Sequence, residues 1–293
     1  MKYRPWMIVP ALAAIVLSAA CQSAHTQSSS PAPSIITVPP DEMTKPPGTE
    51  SVQPAIGDST PAGQPTPVQS APKGPRKLTY NSCNVEGQVI AITFDDGPKP
   101  GQTDRLLDML KERGLTATFF VIGKNAAAYP ELIQRMVAEG HEVGNHSYNH
   151  PSLTKLGAAG VAAEINQTDD AIVKAGAPQP KVMRPPYGAT NAALNRRLNE
   201  EFGQAVILWS VDPLDWKIRK ASHVKEEILK NTRPGGIVLA HDIHASTVDA
   251  MPATLDALLA KGFKFVTVSE LIALDQPAPA ASPSPVTPQS ASR

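Results

Sequence analysis

Two aspartates stand side by side in AITFDDGPKP, residues 91–100, after an apolar run and before a glycine and a proline. Asp-Gly marks an ordinary turn, and a hydrated turn accounts for Asp95 and Asp96 taken alone. A metal site would need at least one of them. His146 and His150 in HSYNH are four residues apart, which puts both imidazoles on one side of a helical turn or a loop of similar pitch. Joined by a carboxylate from another strand end, they make a two-histidine, one-carboxylate site with open positions for water. Zinc fits these ligands, and so does non-haem iron. Zinc needs no redox partner and suits hydrolysis outside the cell, so it is preferred.

If one aspartate binds the ion, its neighbour points elsewhere, because adjacent side chains on a strand face opposite ways. The second can then take a proton from water, with Arg184 in RPPYG as the cation that keeps it ionised. His241 in LAHD ends a strand, where a histidine can act as general acid to a leaving group. DPLDW at 212–216 offers a carboxylate to orient that imidazole and a tryptophan, Trp216, to wall a groove. Each has an ordinary explanation: Trp216 as core, His241 as a buried histidine with its hydrogen bonds met, Asp215 as a helix cap. Those explanations leave a coincidence at five strand ends unaccounted for. His25, His141, His223 and His244 have no partner pattern and are assigned to structure or surface.

The elements that position these residues alternate. Strands are expected at 89–94, 117–122, 142–145, 182–184, 205–211, 236–241 and 263–268. Helical patterns fall at 104–113, 130–140, 157–175, 190–201, 222–231 and 252–261. Seven strands alternating with helices predict an α/β fold with a parallel sheet, either a barrel or a doubly wound sheet. The unusual polar residues fall at the C-terminal ends of the strands, where such folds assemble their sites.

Composition limits the rest. Of 30 prolines, twelve lie between residues 31 and 75 and five follow residue 276. These regions hold too little apolar surface to offset the entropy of ordering, so 22–79 is expected to be a disordered linker and 276–293 a disordered tail. One domain is expected over 80–275. The 27 basic and 27 acidic residues give no footprint for nucleic acid, and no obligate protein partner is evident. Residues 1–21 read as a secretory leader, with Lys2 and Arg4 ahead of an apolar run too short to span a membrane. Cys21 after Ala19-Ala20 resembles a lipoprotein cleavage site, although Ser18 stands where leucine is usual; an uncleaved anchor is the alternative. The expected location is the cell envelope or periplasm, on a membrane tether. With Cys21 lipidated, Cys83 has no disulfide partner.

TFDDGP (93–98), HSYNH (146–150), RPPYG (184–188), DPLDW (212–216) and LAHD (239–242) together resemble the polysaccharide deacetylases of carbohydrate esterase family 4, the NodB-homology family, over about residues 88–270. The resemblance implies a distorted, incomplete (β/α)7-type barrel. It implies that Asp96, His146 and His150 hold a metal, usually zinc, with another divalent ion such as Co2+ as an alternative. Asp95 would be the base, Arg184 its partner, His241 the acid and Asp215 its tuner. The backbone N–H of Tyr187 would help hold the oxyanion, and Trp216 and Leu239 would shape the acetyl pocket. Two departures are visible. Ser147 replaces a frequent threonine, and Val89 stands where some relatives have a cysteine able to pair with Cys83.

The implied reaction is removal of N-acetyl groups from N-acetylglucosamine residues of an acetylated polysaccharide. Peptidoglycan is favoured, with chitin oligomers or O-acetylated xylan as alternatives. A glycan-binding envelope lipoprotein is the non-enzymatic rival, and an iron oxygenase is disfavoured because its carboxylate usually follows the first histidine by two residues.

Overall fold

The strand that carries the paired aspartates organises the sheet. In β2 (Val89–Asp95) six of seven residues are buried, as in a parallel strand covered on both faces. The computed structural model describes residues 77–276. The leader with Cys21, the linker up to residue 76 and the tail beyond Gln276 lie outside the described residues. After β1 (Thr79–Tyr80) and β2 come α1 (Thr103–Glu112), β3 (Thr118–Val121), α2 (Gly123–Ala128), α3 (Pro130–Ala138) and β4 (Glu142–Asn145). Then follow α4 (Ala158–Lys174), β5 (Val182–Met183), α5 (Ala192–Phe202), β6 (Ala205–Ile207) and α6 (Ala221–Asn231). The described chain ends through β7 (Ile237–His241), α7 (Ala245–Ala260), β8 (Lys264–Phe265) and α8 (Val268–Ala273).

The sheet runs β1-β6-β5-β4-β3-β2-β7, and every ladder is parallel. β8 pairs with the start of β2. The outer edges come together through isolated bridges, Ser82 with Gly236 and Val211 with Val238, and the backbone hydrogen bonds around them. An open sheet closed by these contacts is the incomplete barrel that the resemblance implied. Between the sheet and its helices, Phe94 and Phe119 stack with ring centroids 5.4 Å apart. Leu106, Leu107 and Leu110 bury one face of α1, the stripe expected of an amphipathic helix.

Several details differ from the sequence reading, which expected neither β1 nor α8. The apolar run 205–211 holds strand only to Ile207; Val211 then bridges the opposite edge of the sheet, on β7. The expected strand 263–268 stops at Phe265, because Thr267 and Glu270 form a capping box that starts α8. α7 begins seven residues before Pro252, which lies inside the helix. The proline removes one helical hydrogen bond, and burial of Thr247, Val248 and Met251 in the turns before it offsets that loss. The short α2 was not expected at all. Among the described residues, no helix is long and apolar enough to cross a membrane.

One buried polar network ties a helix to the site. Asp169 of α4, 4% exposed, accepts from Asn145 Nδ2 at 2.7 Å, from Gln204 Nε2 at 2.9 Å and from Gln179 Nε2 at 2.8 Å. Asn145 in turn accepts from the Ser147 N–H at 2.8 Å, fixing the start of HSYNH. Asp169→Ala leaves several buried donors without acceptors and is expected to cost about 3 kcal/mol. Denaturant unfolding checks this, and a loss under about 1 kcal/mol would remove the network from the account.

Candidate active site

Asp95 is the last residue of β2, and Asp96 follows it in the left-handed region, at φ 73. That change of backbone separates the two carboxylates. Asp96 Oδ1 faces His146 Nε2 and His150 Nε2, each at 3.4 Å. The three candidate ligand atoms lie within 4.8 Å of one another. HSYNH supplies both rings from a loop rather than a helix, with Ser147 at φ 64 and His150 at φ 63. Glu164 of α4 holds that loop by accepting from the Tyr148 and Asn149 N–H groups, both at 2.8 Å.

The donors are aimed. His146 Nδ1 lies 2.6 Å from the Arg184 carbonyl oxygen, which can only accept, so Nδ1 carries the proton and Nε2 presents a lone pair. Asp96 Oδ1 is buried with no hydrogen-bond partner. An orphaned carboxylate oxygen facing two imidazole nitrogens fits a divalent cation, and two histidines with one carboxylate suit zinc.

Asp95 has a different partner. Its Oδ1 accepts from Arg184 Nη1 at 2.6 Å. Arg184 follows β5 and is fully buried. Its remaining donors reach Thr93 Oγ1 at 2.7 Å, the Leu208 carbonyl at 3.1 Å and the Ile207 carbonyl at 3.3 Å, and its guanidinium stacks 4.2 Å from the Phe120 ring centroid. Burial lowers its pKa and the Asp95 carboxylate opposes that.

At the end of β7, His241 Nδ1 lies 2.8 Å from Asp215 Oδ1. The other oxygen of Asp215 accepts from the His241 N–H at 2.8 Å and from Thr247 Oγ1 at 2.7 Å. Burial opposes a charged His241, but Asp215, with Asp95 and Asp96 behind it, raises its pKa to about 9. Asp212 has a separate task, accepting from the Leu214 N–H at 2.8 Å within the DPLDW turn. A cavity of about 370 Å³ joins Asp95, Asp96, His146, His150 and His241. Leu239, Trp216 and Tyr187 line it, Trp216 being 49% exposed and Tyr187 71%.

Every expected site residue within 77–276 therefore lies in one place, and Cys21 is outside the described residues. Three contributors had no assigned role in the sequence. Asn125 of α2 donates to the Asp96 carbonyl at 2.8 Å. Asp242, fully buried and raised to about 7 chiefly by burial, accepts from Thr103 Oγ1 and packs where a Cβ on Gly97 would sit. His244, assigned to structure or surface, places its ring 5.8 Å from His241. Of these, only Asp242 had a signal, its place beside His241 at a strand end.

Comparison with known proteins points to the family that the motifs resemble. The family model described as polysaccharide deacetylase matches residues 83–206. The chain is 44% identical over 182 residues to the peptidoglycan-N-acetylglucosamine deacetylase PgdA of Listeria monocytogenes serotype 1/2a (strain 10403S), covering 62% of this chain and 38% of that one. It thus spans well under half of that relative's length. It is 36% identical over 203 residues to a chitooligosaccharide deacetylase of Rhizobium leguminosarum bv. trifolii, covering 64% of this chain and 93% of the relative. The structure of peptidoglycan deacetylase PdaC from Bacillus subtilis superposes with a TM-score of 0.60 at 41% identity, over 64% of this chain and 90% of that one.

The His241–Asp215 pair gives a direct test. In metal-free protein, NMR titration is expected to place the His241 imidazole near pH 9. Asp215→Asn removes the carboxylate that outweighs burial, so proton affinity should fall at least about tenfold. An unchanged titration would dismiss Asp215 as the tuner.

Proposed function

The chain belongs to the polysaccharide deacetylase family, and from that premise we propose that it hydrolyses the N-acetyl groups of N-acetylglucosamine residues in a cell-wall polysaccharide. Peptidoglycan is the favoured polymer, and the products are acetate and a free amine. The observation that carries this reading is the convergence of a base, an acid and a three-donor metal cluster on one cavity.

Asp96, His146 and His150 would hold a divalent cation, zinc by preference. When bound, it would lower the pKa of a water and polarise the acetyl carbonyl. Asp95, whose Oδ1 accepts from Arg184 Nη1 at 2.6 Å, takes the proton of the attacking water. The Tyr187 backbone N–H is assigned to the developing oxyanion. His241, protonated at neutral pH, gives its Nε2 proton to the amide nitrogen as the carbon–nitrogen bond breaks. Asp215 holds Nδ1–H and stabilises the imidazolium. Leu239 and Trp216 enclose the acetyl methyl. On the same reading the chain is exported through residues 1–21 and held at the cell envelope through Cys21, facing the wall across its Pro-rich linker.

Acetate release from peptidoglycan, chitohexaose and acetylated xylan tests this. Release from an N-acetylated glycan is expected, and Asp95→Asn should lower it at least about hundredfold. Activity on the ester alone, or an Asp95→Asn protein as active as the parent, would overturn the proposal.

A further inference from the structure

A second, more open groove of about 530 Å³ adjoins the reacting cavity, and the two share Asp96, His150 and Tyr187. The second groove thus lies beside the first cavity, where a sugar next to the reacting one would fit. The groove's walls are the loops that carry the metal donors. Lys99 follows Asp96 by three residues, Asn149 precedes His150, and Lys124 and Asn125 come from α2.

Its charge is lopsided. Lys99 and Lys124 both line the groove and both are exposed, while the sole carboxylate in its lining is Asp96, which the site commits to the cation. Among the described residues, neither lysine forms an ion pair. Lys99 is held through its side chain and Lys124 through its backbone. Lys99 Nζ donates to the Ile243 carbonyl at 3.0 Å, and its backbone N–H donates to Thr103 Oγ1 at 2.8 Å. The turn bearing Lys124 is tied to both donor loops. Gly123 N–H donates to the Ser147 carbonyl at 3.0 Å, Lys124 N–H to the Tyr148 carbonyl at 3.3 Å and Ile122 N–H to the Gly97 carbonyl at 3.1 Å.

We propose that this groove is a subsite for a carboxylate-bearing sugar residue next to the N-acetylglucosamine that reacts, with Lys99 and Lys124 as its specificity-determining residues. The proposal rests on the deacetylase reading and sharpens it, because the two cations favour an acidic strand over a neutral one such as chitin. Peptidoglycan supplies carboxylates from its lactyl ether and from its stem peptides. Cations in an open groove act through a field that salt screens.

The test is equilibrium binding of the metal-loaded full chain, as parent and as Lys99→Gln/Lys124→Gln, to three end-labelled glycans. These are peptidoglycan strands with stem peptides, the same strands stripped to the lactyl carboxylate, and chitohexaose. The parent should prefer an acidic strand, and the double variant should lose about tenfold of that preference. Raising salt from about 0.05 to about 0.3 M should shrink the preference in the parent alone. Preference for stripped strands would assign the lactyl carboxylate, and preference only for peptide-bearing strands would assign the stem; either supports the subsite. Equal affinities in the parent, or an unchanged preference in the double variant, would overturn it. Acetate release is read separately. Lysine-dependent binding without any release would sink the deacetylase reading and leave the subsite standing.

Discussion

Two carboxylates at the end of a buried strand cannot share one site unless each has its own cation. Asp95 is 3% exposed and Asp96 follows it directly. Unpaired buried charge costs several kcal/mol, which is the constraint the strand ends around them satisfy. Arg184 neutralises Asp95, and its other donors are taken up by Thr93 and two carbonyls. Nothing among the described residues neutralises Asp96 in the same way. It faces two imidazole nitrogens, one of which, on His146, is held as a lone pair by the Arg184 carbonyl. The same arginine thus serves both aspartates, through its side chain for one and its backbone for the other.

The backbone bears the cost of this arrangement. Asp96, Ser147, His150, Tyr187 and Leu214 are the non-glycine residues with positive φ among the described residues, and each lies inside one of the five motifs. Left-handed backbone at non-glycine positions persists where surrounding contacts enforce it, and it clusters at functional sites. Here each case re-aims a group that a regular strand or helix would point elsewhere. Asp96 turns away from Asp95, and the HSYNH loop brings two rings to one ion. The parallel sheet gives a coarse placement at its C-terminal edge, and these residues give the fine one.

The coarse level was legible in the sequence. Period and composition located β4 at its observed limits, 142–145, and spacing drew the donors from HSYNH. His141 was correctly kept apart from the chemistry. It accepts from the Ala117 N–H at 3.2 Å, and burial lowers it to about 4, so it is neutral. What was not legible depends on contacts distant in sequence. The run AVILWSV reads as one strand because its apolar residues continue, yet its far end changes partner across the sheet. GKNAAA carries no amphipathic period and forms α2 where its first turn is tied to both donor loops. Asp242 is adjacent to the acid in sequence, but its contact with the Gly97 turn exists only in the folded chain.

The claim beneath all of this is that Asp96, His146 and His150 together bind one divalent ion. Calorimetric titration of zinc into metal-free protein addresses it most directly. The account predicts a single strong site in the parent, the same stoichiometry in Asp95→Asn, and affinity lowered at least about hundredfold in His146→Ala, His150→Ala and Asp96→Asn. A parent that binds no ion, or a His150→Ala protein that binds as tightly as the parent, would contradict it.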